Sequence, residues 1–334
     1  MCAAIWASLA LCSCGGGDSL PRAAADEAVE AAVDAFVAAT EQVEEPNHIT
    51  LHSIMLLRHG EVIAERWMNG AAPEIPHVMH SVSKTFTSAA VGFAIDEGLL
   101  SVDDKVVDFF PDKLPEVVDS NLAAMTVRHL MTMTCGQRRE PAEVRGGDGD
   151  WVSGFLAAPV EFAPGEWFAY NSLGTYMVSA ILQKVTGQKL VDYLDTRLFQ
   201  PLGIERPQWD ESPQGINCGG WGLWLKTEDM AKMGQLLLDG GKWHGRQLLP
   251  EGWASEMTTF KVPTDRPNDT RADWTAGYCY FMWVCTHGGV RADGSEGQYV
   301  IVLPEKDAVI VLTTDSTLYQ PYLDMVWEHL HPVL

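Results

Sequence analysis

A serine three residues ahead of a lysine, Ser81-Val82-Ser83-Lys84, is the first arrangement in this chain that could perform covalent chemistry. On a helix, positions three apart share one face, so the Ser81 hydroxyl and the Lys84 amine become neighbours. A serine hydroxyl attacks poorly unless a base within hydrogen-bond reach takes its proton. A lysine can be that base only when neutral, which requires desolvation or nearby positive charge. The residues that follow, Thr85-Phe86-Thr87-Ser88-Ala89-Ala90, carry no charge, as expected of a buried helix start. Placing Ser81 at that start aims backbone N–H groups and the positive end of the helix dipole at a developing oxyanion. Taken alone the spacing carries little weight, since a surface helix can present the same pair.

A second candidate group follows Pro164-Gly165 and precedes a helical run: Phe168-Ala169-Tyr170-Asn171-Ser172. Read without further context, Tyr170 is either a proton-relaying phenol or a core tyrosine bonded through its hydroxyl.

The elements that must position these groups are legible in outline. Residues 26–42 are Ala- and acid-rich with helical spacing, after a flexible Gly/Ser linker. Residues 53–57 and 61–67 read as a β-hairpin turning at Gly60. A helix is predicted over 82–97 with Gly98 as its stop. Residues 106–203 are largely helix and loop, clearest at 126–133 and 173–185, with Gly187 ending the latter. Another helix is predicted over 227–239, then strands over 278–285, 297–303 and 308–314. The turn Pro304-Glu305-Lys306-Asp307 joins the last two strands, and a final helix covers 319–330. Strands at both ends around a helical middle predict an α+β fold. Its antiparallel sheet is assembled from distant segments and flanked by helices, with a mainly α-helical second domain. The boundaries are 1–25 for leader and linker, 26–105 and 204–334 for the α/β sheet domain, and 106–203 for the helical one.

Order and spacing of these motifs resemble the class C β-lactamase-like serine hydrolases, the penicillin-recognising enzymes. Their second motif is Tyr-x-Asn in the setting PGxxFxYSNxG, and this chain has Pro164-Gly165-Glu166-Trp167-Phe168-Ala169-Tyr170-Asn171-Ser172-Leu173-Gly174. The resemblance runs from about residue 53 to 313. It includes Asp96-Glu97-Gly98 after the nucleophile helix and Leu130-Met131-Thr132-Met133-Thr134-Cys135-Gly136, close to the family's LLTMTSG. The stretch from Gly222-Leu223-Trp224-Leu225 to Gly240-Gly241-Lys242-Trp243 looks like the branch that contains 6-aminohexanoate-dimer hydrolase and related esterases. The resemblance implies an active site between the two domains, with Ser81 acylated, Lys84 as its base and Tyr170 relaying a proton to the leaving group.

Two departures matter. The family's third motif, Lys-Thr-Gly or His-x-Gly, falls on Ala292-Asp293-Gly294, so its cationic residue is missing. Gly294 still lets a substrate backbone approach the strand edge. The N–H of Ser295 would join that of Ser81 as an oxyanion donor. The other register, His287-Gly288-Gly289, looks like a turn, which leaves His287 in an exposed loop. Ser172 stands where the family usually has Asn. In β-lactam enzymes these positions hold the substrate's amide and carboxylate, so the substitutions favour a small ester or amide. Trp221, Trp224, Trp274 and Trp283 fall in segments expected near the cleft, where core packing is the simpler reading.

Totals bound the rest. Hydrophobic residues make 46% and charged residues 20% of 334, enough apolar material for a sizeable core. A formal net charge of -22, with acids spread along the chain and no basic stripe, argues against nucleic acid as a partner. No HExxH or paired CxxC occurs, so neither metal nor cofactor is expected. Met1 to Gly17 reads as a secretory h-region, although without a basic n-region. Leu11-Cys12-Ser13-Cys14 resembles a lipobox, from which lipidation at Cys14 and export as a periplasmic or outer-membrane-anchored lipoprotein follow. Cys279 and Cys285, six residues along one predicted strand, cannot bond to each other without a turn between them. A D-amino-acid peptidase or β-lactamase, or a penicillin-binding-type sensor domain that acylates without turnover, are the competing readings.

Overall fold

The computed structural model describes residues 19–43, 49–145, 147–264 and 269–334. The leader and the candidate lipidation residue Cys14 lie outside them. Among the described residues no helix is long and apolar enough to cross a membrane.

Helix α1 (Glu27–Glu41) starts where the Asp26 side chain accepts the N–H of Ala28 at 2.8 Å. It buries Val29, Val33, Phe36 and Thr40, one stripe at helical spacing. Strands β1 (Thr50–Arg58) and β2 (Glu61–Trp67) form the hairpin read from the sequence, turning at His59 and Gly60, both with positive φ. Residues 19–23 are not the free linker expected. Leu20 is buried, and Pro21 and Ala23 bond to the Val62 backbone, which pairs the otherwise open edge of β2.

The short β3 (His77–Val78) precedes helix α2 (Ser83–Asp96), which is buried on nearly every side as far as Ala94. Gly92 lets α2 approach the Trp253 indole, where a Cβ would meet ring carbon at 2.2 Å. Helix α3 (Val127–Met131) is capped by Thr126, α4 (Trp151–Ala157) by Asp150 and α5 (Ser172–Thr186) by Asn171. Gly187, at φ 69°, ends α5 as predicted. Then come β4 (Trp224–Leu225), which pairs with β3, and α6 (Thr227–Leu238).

The chain ends with β5 (Trp283–Val284), β6 (Val290–Gly294), β7 (Gln298–Leu303), β8 (Ala308–Asp315) and α7 (Gln320–Met325). The main sheet has the order β2-β1-β8-β7-β6-β5 and is antiparallel throughout. The N-terminal hairpin therefore docks on the C-terminal strands through β1 and β8, the α+β architecture expected from distant segments. Side chains alternate across the sheet. Gly234 of α6 packs on Val300 and Val309, while Tyr299 on the other face stacks on Tyr322 of α7, which meets Phe36 of α1. With both faces covered, β8 is apolar from Ala308 to Leu312 and buried as far as Thr314.

One predicted strand is corrected. Residues 278–285 do not run straight: the Cys279 N–H bonds to the Met282 carbonyl at 2.8 Å, and Phe281 takes φ 63°. Tyr278 bridges back to Trp283, so a tight turn replaces most of the strand. The turn between Cys279 and Cys285 thus exists, yet both are free buried thiols, as are Cys135 and Cys218.

Candidate active site

Ser81 lies in a 3-10 turn (His80–Val82) that feeds directly into α2. Its Oγ is 2.9 Å from Lys84 Nζ, so the three-residue spacing does place hydroxyl beside amine. Lys84 is 1% exposed, and its Nζ also lies 3.0 Å from Ser172 Oγ and 2.7 Å from the Gly220 carbonyl. A neutral amine has two N–H donors and one lone pair. If Ser172 and Gly220 accept the two hydrogens, the lone pair is left for the Ser81 hydroxyl. Burial lowers the Lys84 pKa to about 7; Glu140 and Asp293 oppose that shift and Arg145 adds to it.

Tyr170 reaches the site from the loop ahead of α5 and is hydrogen-bonded to Ser81. Burial pushes its hydroxyl well above the ordinary tyrosine range, against that bond. Its ring stacks on Trp283 with centroids 5.7 Å apart, and Lys84 Nζ lies 4.9 Å from its centroid. A tyrosine held protonated beside a lysine near neutrality makes two chemically distinct groups: an amine able to accept a proton and a phenol able to donate one. Asn171, capping α5 through a 2.8 Å bond to the Gly174 N–H, fixes the peptide from which Tyr170 projects. Ser172 turns toward Lys84.

The third wall is the end of β6. Gly294 lies against the turn before Ser81, where a Cβ would sit 2.5 Å from the Met79 carbonyl oxygen. This close approach brings Ser295 alongside Ser81, and both line a cleft of about 240 Å³. His287-Gly288-Gly289 is an exposed turn away from it, and His287 stacks on Trp327. Trp274 and Trp283 line the cleft with Phe168, Tyr170 and Tyr319. Trp221 and Trp224 do not: Trp221 lies against Trp151, and Trp224 faces a separate groove beside Lys226.

Several groups here were not singled out from the sequence. Gly220 is one, and Gly219-Gly220 was its signal: a Cβ on Gly220 would lie 2.9 Å from the Ser172 carbonyl and 3.4 Å from Lys84 Nζ. Glu140 accepts the Ser172 N–H at 3.2 Å and pairs with Arg145. Asp293, next to Ala292 at the place of the missing cation, faces the cleft, with fully buried Arg291 behind it at 3.0 Å. On the rim, Arg271 pairs with Asp269 at 2.7 Å, and the guanidiniums of Arg271 and Arg291 both lie over Trp274. These ion pairs join residues on irregular segments or at alternate strand positions, and no motif announces them.

Residues 31–330 match the family described as Beta-lactamase. The 6-aminohexanoate-dimer hydrolase of Paenarthrobacter ureafaciens is 28% identical over 281 residues, covering 78% of this chain and 71% of its own. Esterase EstB of Burkholderia gladioli is 29% identical over 175 residues, 45% of this chain and 44% of its own. Among solved structures, EstCE1, a hydrolase with promiscuous acyltransferase activity, superposes with a TM-score of 0.73 at 18% identity. That superposition covers 92% of this chain and 100% of EstCE1. The chain belongs to the β-lactamase family.

Proposed function

We propose that this protein is a serine hydrolase that cleaves a small ester or amide through an acyl-enzyme on Ser81. The observation that carries the reading is a desolvated Lys84 with its Nζ 2.9 Å from Ser81 Oγ and a pKa lowered to about 7. Neutral Lys84 takes the Ser81 proton as Oγ attacks the acyl carbon. The N–H groups of Ser81 and Ser295 hold the resulting oxyanion. Tyr170 relays a proton to the leaving alcohol or amine as its bond to the acyl carbon breaks. Water then hydrolyses the acyl-enzyme and regenerates Ser81. Tyr170→Phe should therefore slow turnover by about 10²-fold or more, most steeply for amides, whose poorer leaving group needs the proton. An equal loss for p-nitrophenyl esters and alkyl amides would remove Tyr170 from that step.

The similarity to a 6-aminohexanoate-dimer hydrolase and an esterase supports the ester or amide reading. Charge supports it over the alternative of β-lactams or D-peptides, both of which present a carboxylate. Ala292 takes the place of the motif's cation, Asp293 beside it faces the cleft, and the rim guanidinium of Arg271 is already taken by Asp269. A half-ester of succinate with p-nitrophenol should thus react at least about tenfold more slowly than the butyrate ester, about 1.4 kcal/mol of discrimination. Asp293→Asn should narrow that ratio; an unchanged ratio would remove Asp293 as the discriminator. The whole reading is tested by steady-state turnover on a panel of p-nitrophenyl butyrate, a D-alanyl dipeptide and benzylpenicillin. Turnover confined to the ester supports it. Preferred turnover of the peptide or penicillin selects the alternative, and a single stoichiometric burst selects a sensor domain.

A further inference from the structure

Two residues beside the cleft hold backbone conformations that side chains other than glycine avoid. His80, immediately before Ser81, has φ 44°; Glu296, immediately after Ser295, has φ 65° and ψ 15°. Left-handed backbone at such residues persists only where the surroundings over-determine it, and it gathers at functional sites. Here each of the two flanks one of the N–H groups assigned above to the oxyanion. Their side chains meet, with His80 Nε2 3.4 Å from Glu296 Oε2, an ion-pair separation rather than a directed hydrogen bond.

Each half is anchored separately. The His80 carbonyl accepts from Ser83 Oγ at 2.6 Å, and Ser83 Oγ accepts the Leu223 N–H at 3.2 Å. A planar trans peptide points its C=O and N–H in opposite directions, so this bond turns the Ser81 N–H away from Ser83. In the other half, the Glu296 carbonyl accepts from Thr314 Oγ1 and from the Ser316 N–H, and Gln298 Nε2 donates to the Ser295 carbonyl at 3.2 Å. One half belongs to the entrance of α2 and the other to the β6–β7 connection. These anchors fix the direction of each half, and the His80–Glu296 pair spans the gap between them.

We propose that His80 and Glu296 are positioning residues that clamp the two halves of the oxyanion pocket at the separation a tetrahedral intermediate requires. The proposal rests on the reading of Ser81 and Ser295 as the oxyanion donors. A displaced donor loses more with the transition state, where negative charge is concentrated on the oxygen, than with the planar substrate. The clamp therefore acts on kcat rather than on KM. The Glu296 side chain is 52% exposed, so a polar contact there contributes little to global stability and Glu296→Gln should fold normally. His80→Asn keeps a residue that tolerates left-handed backbone but is too short and uncharged to reach Glu296.

Both variants should lower kcat for p-nitrophenyl butyrate about tenfold, a fraction of what losing a whole donor costs, with KM within twofold. The double variant should lose no more than either single one, because both remove the same interaction. Butylboronic acid, whose adduct with Ser81 is tetrahedral, should lose affinity by a similar factor. An unchanged kcat in Glu296→Gln, losses that multiply in the double variant, or a loss confined to KM would overturn the clamp. A Ser81→Ala control separates the two levels. Activity surviving in that control overturns the nucleophile assignment itself, whereas an inactive control beside an unaffected Glu296→Gln overturns the clamp alone.

Discussion

Ser81→Ala should yield a folded protein whose turnover of p-nitrophenyl butyrate falls on the order of 10⁴-fold or more. The size follows from what is removed: the atom proposed to bond to the acyl carbon, which no neighbouring group replaces in place. Folding should survive because Ser81 is only half-buried at the cleft and the change deletes one hydroxyl. Lys84 keeps Ser172 Oγ at 3.0 Å and the Gly220 carbonyl at 2.7 Å. The stability cost is therefore that of two hydrogen bonds, to Lys84 and to Tyr170, about 2 kcal/mol. A thermal melt within a few degrees of the wild type would establish that loss of activity is not loss of structure. Intact mass after reaction with a slow ester should show an acyl increment on the wild-type peptide containing Ser81 and none in the variant. Retained turnover would move the nucleophile to another hydroxyl, and Ser172, also within bonding distance of Lys84, would be the first to substitute.

The chemistry of this site was more legible in the sequence than its electrostatics. A helix fixes which side chains share a face, so Ser81 and Lys84 could be paired from their spacing before any contact was known. The uncharged run after Lys84 likewise foretold its burial, which is the largest cause of its lowered pKa. Tyr170 needed the family resemblance, because a tyrosine before a helix has no periodicity that separates catalysis from packing. Asp293 lies on β6 two residues from its partner Arg291, and alternation along a strand does not by itself say which face meets the cleft. The strand expected over 278–285 failed for a physical reason: aromatic and apolar residues there favour extended backbone, yet Phe281 takes positive φ and Tyr278 packs edge-on to Trp283 at 4.9 Å. Tertiary packing among Phe168, Tyr170, Tyr278 and Trp283 decides that turn, and such packing joins segments more than a hundred residues apart.

Lys84→Met should abolish activity while changing how stability depends on pH. With neutral Lys84 as the proposed base, wild-type kcat/KM should rise with pH through about 7 and then level off. In the methionine variant that limb disappears along with at least about 10²-fold of the rate. The stability effect runs in a definite direction. Unfolded, the lysine titrates near its ordinary 10.5, and folded it titrates near 7. Between those values the unfolded chain binds the extra proton, so wild-type stability increases as pH rises. The cost of keeping Lys84 buried is fully present below about pH 7 and fades toward 10.5. Relative to Lys84→Met, the wild type should gain about 1.4 kcal/mol per pH unit between pH 7 and 9. Methionine leaves Ser172 and Gly220 without their donor, which adds a roughly pH-independent penalty and offsets the curve without changing its slope. Urea unfolding of both proteins at several pH values reads that slope directly. Parallel curves would mean that Lys84 titrates alike in folded and unfolded protein, and would end its candidacy as a base prepared by burial.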